Sequence, residues 1–479
     1  MSQVKGKLNI RREPGIFYRL LRAYADPAFI ASYSRVRYAG LENIPEGCAV
    51  IVAPNHSNGL MDPLAAMSLG RCPSASGRPG RISPMIFAAR ADMFRIPVLR
   101  SLLLYLYVTP VMRVRDGFSH LGENAGIMDA VSDRLCDGVP YCIMAEGTQR
   151  DKHSLLPLLK GIFRVALQTD DKLGGRMPVV ILPVGIEYGN YWRYRSSMLV
   201  NVGKPMDVSE FRRSHPKLTQ PELMNAMRAE LTARMKSLFL CIDDDGDYGA
   251  VLELSLMASG FSGGRGTDLY GRMMADRRVV GRLYAMRDSE DASVRGAYAG
   301  LLKLGNEAAE LRRGAGISAS SYSGLHLPLL RRPALFRPSG NDVAECSTGA
   351  VSRAAVLALT FPYWLFSVAV TSPVLAAVEL LCRVQDDRAF LVSLRYAVAA
   401  FALPVLWIVY AALLFALLPG HLWWAGLAVL LLFCPAYTFA HDWFKSARLL
   451  LSDLRFRRNV RLQEIVEEVR GRMSREADL

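Results

Sequence analysis

Short runs of apolar residues, each closed by turn residues, alternate with stretches of helical spacing through roughly the first 210 positions. Cys48 to Ala53, Val139 to Met144 and Val179 to Ile186 have the length and apolar continuity of buried strands. Pro110 to Gly117 is a further short strand, and its alternation puts Arg113 and Arg115 on one face. Helical spacing follows in Gly161 to Leu167 and in Gln220 to Leu240. Near the start, Phe17, Leu20, Leu21 and Tyr24 share a helical face, with Arg19 and Arg22 off it. That pattern fits an amphipathic surface anchor or a first helix covering a sheet. Strands alternating with helices make this part an α/β unit.

The pattern changes in the last third. Ala354 to Val378, Tyr396 to Leu418 and Leu422 to Ala440 are apolar and uncharged, and the second and third are long enough, or nearly so, to cross a bilayer. Only Pro419, Gly420 and His421 separate those two, which predicts a helical hairpin. Arg383, Arg388 and Arg395 precede it, and Lys445, Arg448, Arg455, Arg457, Arg458 and Arg461 follow. The turn has no Lys or Arg, so both hairpin ends are expected on the cytoplasmic side. The first stretch has basic flanks at both ends and contains Pro362 and Pro373. It is expected to be re-entrant or interfacial, broken or kinked at the prolines.

The middle says less. Gly314 to Gly324 and Pro328 to Pro338 read as linkers. Asp243 to Asp247 lacks the ligand spacing of a calcium loop and reads as a solvated acidic turn. Of 479 residues, 51% are hydrophobic and 21% charged, and the net charge is +14. A basic surface suits nucleic acid or anionic lipid. The apolar C-terminal third and the lack of a nucleic-acid motif favour lipid. Eight cysteines without a C-x-x-C pair predict free thiols in a reducing compartment and no metal site. The N-terminus carries no pattern of a cleavable signal.

Candidate chemistry sits where strands end. After the first run come Asn55-His56-Ser57-Asn58-Gly59-Leu60-Met61-Asp62-Pro63. Histidine can take a proton from a hydroxyl near neutral pH, and a carboxylate on its other nitrogen would fix its tautomer. After the second run come Met144-Ala145-Glu146-Gly147-Thr148-Gln149-Arg150, where a carboxylate, a flexible glycine and a cation suit a polar, phosphorylated ligand. Ser57 reads as a turn or cap hydroxyl.

These blocks, in this order, resemble the glycerolipid acyltransferase family. That family's first motif is N-H-x-x-x-x-D, its third resembles F-P-E-G-T-R-S, and its fourth is a V-P-V strand. The resemblance covers roughly residues 15 to 210. Ala145 stands where the third motif usually has Pro. His56 and Asp62 enclose five residues rather than four. That spacing, with Asn58 and Pro63, is similar to the fungal-type glycerol-3-phosphate and dihydroxyacetone-phosphate acyltransferases.

The resemblance implies a mixed central sheet with flanking helices, joined here to a helical connector and C-terminal membrane helices. It implies His56 as general base oriented by Asp62. Glu146, Gly147 and Thr148 would shape the acceptor site, with Arg113, Arg115 and Arg150 as phosphate ligands. Pro183, in the fourth motif, would belong to the acyl pocket. The donor would be acyl-coenzyme A or acyl carrier protein, with no metal or redox cofactor. The expected acceptor is glycerol 3-phosphate or dihydroxyacetone phosphate. The alternatives are lysophosphatidic acid as acceptor, or a non-catalytic lipid-binding scaffold.

The expected division of the chain is an interfacial segment at 1–40, a catalytic domain at 41–215 and a connector at 216–350. A membrane region at 351–445 and a basic cytoplasmic tail at 446–479 complete it. Within the membrane region, 354–378 would be re-entrant, and 396–418 and 422–440 would form the hairpin. The catalytic domain would lie on the cytoplasmic face.

Overall fold

The structure is a computed structural model and describes residues 15–72, 84–111, 121–262, 268–330, 340–341 and 347–475. Its centre is a mixed sheet of nine strands. In chain order they are β1 (Tyr33–Ala39), β2 (Ala49–Pro54), β3 (Ile86–Arg90), β4 (Val108–Val111), β5 (Tyr141–Cys142), β6 (Val179–Tyr188), β7 (Ser196–Val202), β8 (Met206–Asp207) and β9 (Gly340–Asn341). The spatial order is β4-β3-β5-β2-β6-β7-β1-β9, with β8 paired to β6. β4, β3, β5, β2 and β6 run parallel. β7 is antiparallel to β6, β1 parallel to β7, and β9 antiparallel to β1.

Helices cover both faces, which explains why the central strands are apolar without alternation. One face packs against α4 (Leu121–Cys136), α5 (Gly161–Leu173) and α7 (Gln220–Lys236), through residues such as Leu135, Phe163 and Met227. A short helix, α6 (Val208–Ser214), leads into α7, whose start carries a reciprocal capping box between Thr219 and Glu222. The other face packs against α1 (Ile16–Ala31), α2 (Met61–Ser68) and the start of α12 (Leu391–Leu417). The parallel strands therefore deliver their carboxyl ends, and the loops after β2, β5 and β6, to one edge.

α1 is turned the opposite way from a typical surface helix. Arg22, expected on a solvated face, is buried and pairs with Asp26 at 2.8 Å. Ile16, Phe17, Leu20 and Tyr24 are exposed instead. So α1 both covers the sheet and presents an apolar outer face. It shares that surface with α3 (Pro97–Tyr105), with Phe17 lying 5.7 Å from Tyr105 between ring centroids.

The expected boundaries shift. Tyr33–Ala39 pairs with β7 inside the sheet, so the sheet begins before residue 41. α7, placed by sequence in the connector, belongs to the sheet's core. The rest of the connector, α8 (Tyr248–Ser262), α9 (Leu269–Arg287) and α10 (Ala292–Gly314), packs into a second core with α14 (Val460–Arg475). Leu462, Ile465, Val466 and Val469 are buried there, so the C-terminal stretch is a docked helix rather than a loose tail. Gly314 to Gly324 is not a free linker. Tyr322 is buried and donates to Glu253, and Ser321 donates to Asp453. Most of the other expected linker, Pro328 to Pro338, lies outside the described residues.

Among the described residues, three helices are long and apolar enough to cross a membrane: α11 (Ala350–Val384), α12, and α13 (Trp423–Arg458). α11 runs unbroken through Pro362 and Pro373, contrary to the expected break. The Ala369 carbonyl, which Pro373 leaves without its helical donor, accepts from the Ser372 hydroxyl at 2.8 Å. The α12–α13 hairpin, with its turn at Pro419 to Leu422, follows the sequence pattern.

The bundle is tied to the sheet. Arg195, at φ 60°, makes two bonds to Asp442 of α13 at 2.9 and 2.6 Å. The same guanidinium donates to the carbonyls of Ala31 and Tyr33, each at 2.6 Å. Lys445 reaches Ser34 and the Arg195 carbonyl. The left-handed backbone costs about 1–2 kcal/mol for a residue with a Cβ. The bidentate pair with Asp442 and the two carbonyl bonds hold Arg195 in that conformation and aim its side chain into the joint.

Candidate active site

The loop after β2 is pinned from both sides. Asn55 donates to the Ile186 carbonyl at 3.0 Å and accepts from its N–H at 2.6 Å, fixing the loop to β6. His56 N–H donates to Glu146 Oε1 at 2.7 Å, and the His56 carbonyl accepts from Arg150 N–H at 3.1 Å. These bonds hold the loops after β2 and β5 side by side.

The structure brings His56 and Asp62 together: Nδ1 lies 2.8 Å from Asp62 Oδ2. The five intervening residues do not spoil the pairing, because they wrap around the carboxylate. Oδ2 also accepts the N–H groups of Ser57 and Asn58, both at 2.7 Å, and Oδ1 accepts the Tyr188 hydroxyl at 2.6 Å. Asp62 has no exposed surface, while the His56 side chain is 20% exposed. The carboxylate is thus fully engaged in orienting the ring. An Asp62 carboxylate can only accept, so Nδ1 carries the hydrogen and Nε2 is left as the basic nitrogen.

Tyr188 is the member of this constellation whose role sequence reasoning missed. Strand order alone reveals its place, since β6 lies beside β2 and ends next to the motif. Asn58 also has a defined place: Nδ2 donates to the Tyr191 carbonyl at 3.0 Å.

The other expected site residues divide. Glu146 accepts from His56 N–H and, through Oε2, from Leu156 N–H at 2.7 Å. It is a buried brace between loops. Burial pushes its carboxyl up to about 7, against the opposing pull of the two amides and His56. Gly147 turns the chain at φ 68°, where a Cβ would lie 2.3 Å from Leu159 Cδ1. Thr148 is exposed beside it. Pro183 is buried in mid-β6, paired in register with Ala53 and bonded through its carbonyl to Gly203 N–H at 2.9 Å. Arg113 and Arg115 lie outside the described residues, and β4 ends at Val111.

Arg150 projects toward an unforeseen neighbour. Its guanidinium pairs with Asp245, which also lies 3.4 Å from Lys152 Nζ. The acidic turn is therefore docked: Asp243 pairs with Lys236 at 2.7 Å and Asp244 with Arg287 at 3.6 Å. His153, half-buried, lies 2.8 Å from Glu187 and 3.1 Å from the Tyr191 hydroxyl. Burial works to lower its ring pKa, but the Glu187 carboxylate overrides this and raises it.

An imidazole held by a buried carboxylate at a sheet edge has the chemistry to take a proton from a hydroxyl. Residues 35–187, from β1 to the end of β6, match the Acyltransferase family. That segment is an acyltransferase domain, and the activity it brings is O-acyl transfer. No curated protein matches the chain. Among solved structures, it is similar to the 1-acyl-sn-glycerophosphate (LPA) acyltransferase PlsC from Thermotoga maritima. The identity is 20%, over 46% of this chain and 78% of that one, with a TM-score of 0.31.

Proposed function

We propose that this protein transfers a fatty acyl group from a thioester, on coenzyme A or acyl carrier protein, to a hydroxyl of glycerol 3-phosphate or dihydroxyacetone phosphate. The single observation that carries the reading is the four-donor shell around Asp62, which fixes the tautomer of His56. His56 Nε2 takes the hydroxyl proton as that oxygen attacks the thioester carbonyl. The tetrahedral intermediate collapses, the C–S bond breaks, and the imidazolium returns its proton to the departing thiolate. Ester and thiol are the products. Asp62 stabilises the imidazolium in between, as a carboxylate does in hydrolase triads.

Arg150 and Lys152 lie beside the loop and suit an anionic acceptor that takes the place of the exposed Asp245 carboxylate they now share. Glu146 and Gly147 shape the acceptor's side of the site by bracing and turning the loop. The apolar outer face of α1 and the three apolar helices suit a catalytic unit seated on the cytoplasmic membrane surface. Near the start of α11, Arg353 pairs with Asp453 in the last turns of α13, and Asp387, just past the helix end, accepts from Gln149 beside the motif loop. This supports a re-entrant or oblique path for α11. A specific observation favours a second acceptor, lysophosphatidic acid: the motif loop touches the head of α12, where a lipid-borne hydroxyl would arrive.

The test is an acceptor panel with the full-length protein in phospholipid vesicles, using radiolabelled acyl-coenzyme A and acyl carrier protein as donors. Preference for glycerol 3-phosphate or dihydroxyacetone phosphate supports the first acceptor class, and preference for lysophosphatidic acid establishes the second. No product with any pair would replace the enzymatic reading by a lipid-binding one.

A further inference from the structure

α2 carries Asp62 in its first turn, yet its own sequence does not cap it. Its N-cap residue is Leu60, whose side chain makes no capping bond. The N–H groups of the loop that enters it, from Ser57 to the N-cap Leu60, need acceptors as well. Asp62 takes those of Ser57 and Asn58. The next two are taken by other segments. Gly59 N–H donates to Gln149 Oε1 at 3.0 Å, and Leu60 N–H donates to Ser393 Oγ at 3.0 Å.

Ser393 stands in the first turn of α12, at the head of an apolar helix, and is buried. Gln149 in turn donates to Asp387 Oδ2 at 3.1 Å, in the connection between α11 and α12. Asp387 Oδ1 caps the short helix Arg388–Phe390 through Ala389 N–H. Gly59 fits closely under this connection: a Cβ there would lie 2.9 Å from Ser393 Oγ and 3.3 Å from the Ala389 carbonyl. Val392 and Tyr396, on the same turns of α12, are part of the sheet's core, so the head of the helix is firmly seated.

From this we infer that Ser393 is a positioning residue for the transfer reaction: α12 supplies from outside the cap that holds the start of α2, and with it Asp62 and His56, in register. The exposed Gln149–Asp387 bond competes with water and contributes less than the part-buried bond to Ser393. The inference rests on the proposed acyl transfer for its kinetic arm only.

The experiment uses full-length protein in phospholipid vesicles and compares the wild type with Ser393→Ala, Ser393→Thr and Asp387→Asn. Ser393→Ala removes the acceptor of the part-buried Leu60 N–H. A loop displaced by a fraction of an ångström is expected to lower kcat about tenfold, with the acceptor KM within about twofold. Ser393→Thr keeps the oxygen and should recover most of the rate. Asp387→Asn keeps an accepting oxygen for Gln149 and should stay within about threefold of wild type, since that bond is exposed.

Amide exchange over residues 58–62 reads the cap without any turnover. It should quicken about tenfold in Ser393→Ala, while exchange in β6 stays unchanged. Unchanged exchange at 58–62 overturns the inference whatever the activity. Normal kcat in Ser393→Ala also overturns it and leaves acyl transfer intact. A wild type that transfers nothing, with quickened exchange in the variant, defeats the acyl-transfer reading while the positioning contact stands.

Discussion

Replacing Asp62 with Asn separates two things a triad carboxylate does: fixing the tautomer and supplying charge. Oδ2 receives three hydrogens, from His56, Ser57 and Asn58, and Oδ1 receives one from Tyr188. An asparagine has one accepting oxygen and one NH2. Setting the NH2 at the Oδ2 position would face it against two fixed backbone donors, at about 1–3 kcal/mol for each buried group left unmet. The reverse setting keeps all three bonds and turns the NH2 toward Tyr188, whose hydroxyl can rotate to accept. The amide oxygen therefore stays on Nδ1, and His56 keeps Nε2 free.

In a serine-protease triad the same substitution inverts the tautomer and lowers kcat by about 10⁴. Here only charge is lost. The difference between a charge-assisted and a neutral hydrogen bond is about 1–2 kcal/mol. Opposite unit charges about 4 Å apart at an effective dielectric near 20 interact by about 4 kcal/mol. The expected fall in kcat for Asp62→Asn is thus roughly 10- to 1,000-fold. Single-turnover transfer at saturating acceptor, with circular dichroism to confirm folding, reads it. A fall of about 10⁴ in folded protein would show an inverted tautomer and refute the donor argument. A fall under about twofold would show that the carboxylate's charge plays no part.

Three further predictions follow from the geometry. Glu146, held near 7 by burial against its ordinary value of 4.5, favours the neutral form in the folded protein. Its contribution to stability is present below about 4.5 and is lost as pH rises to about 7, by up to about 3 kcal/mol; the thermal midpoint of Glu146→Gln should lack that part of the slope, and an unchanged slope would exclude Glu146 as its source. Gly147→Ala meets a strained φ and the flexible tip of Leu159, so it should lower stability by about 1–2 kcal/mol without abolishing folding, as thermal unfolding in detergent would show. Arg195→Ala leaves Asp442 buried on α13 with its bidentate partner removed and should cost about 3 kcal/mol, whereas a loss below about 0.5 kcal/mol would mean that the joint is held elsewhere.

The sheet was legible because its strands are buried on both faces and read as apolar runs: Val179 to Ile186 appears almost unchanged as β6. His56, Asp62 and Glu146 were legible because each lies within a few residues of a strand end. Their partners were not. Tyr188, Ser393 and Asp245 reach the site through strand order and helix docking, over separations of 126, 333 and 95 residues from Asp62, Leu60 and Arg150. No local period encodes such contacts. Arg22 misled because its spacing looked solvated, although Asp26 one turn later neutralises it inside the fold. The prolines of α11 misled for a related reason. Their local cost is real, but hydroxyl side chains nearby and two packed helices keep the helix whole.

The central claim is that His56 is the base for acyl transfer. The most direct test compares the rate of radiolabelled acyl transfer by the wild type and by His56→Ala, both full-length in phospholipid vesicles, with the preferred acceptor and donor. His56 makes its backbone contacts through N–H and carbonyl, so the variant should fold and enter the vesicles normally. The account predicts a loss of at least about 100-fold. A folded, vesicle-bound His56→Ala protein that transfers at the wild-type rate would contradict it.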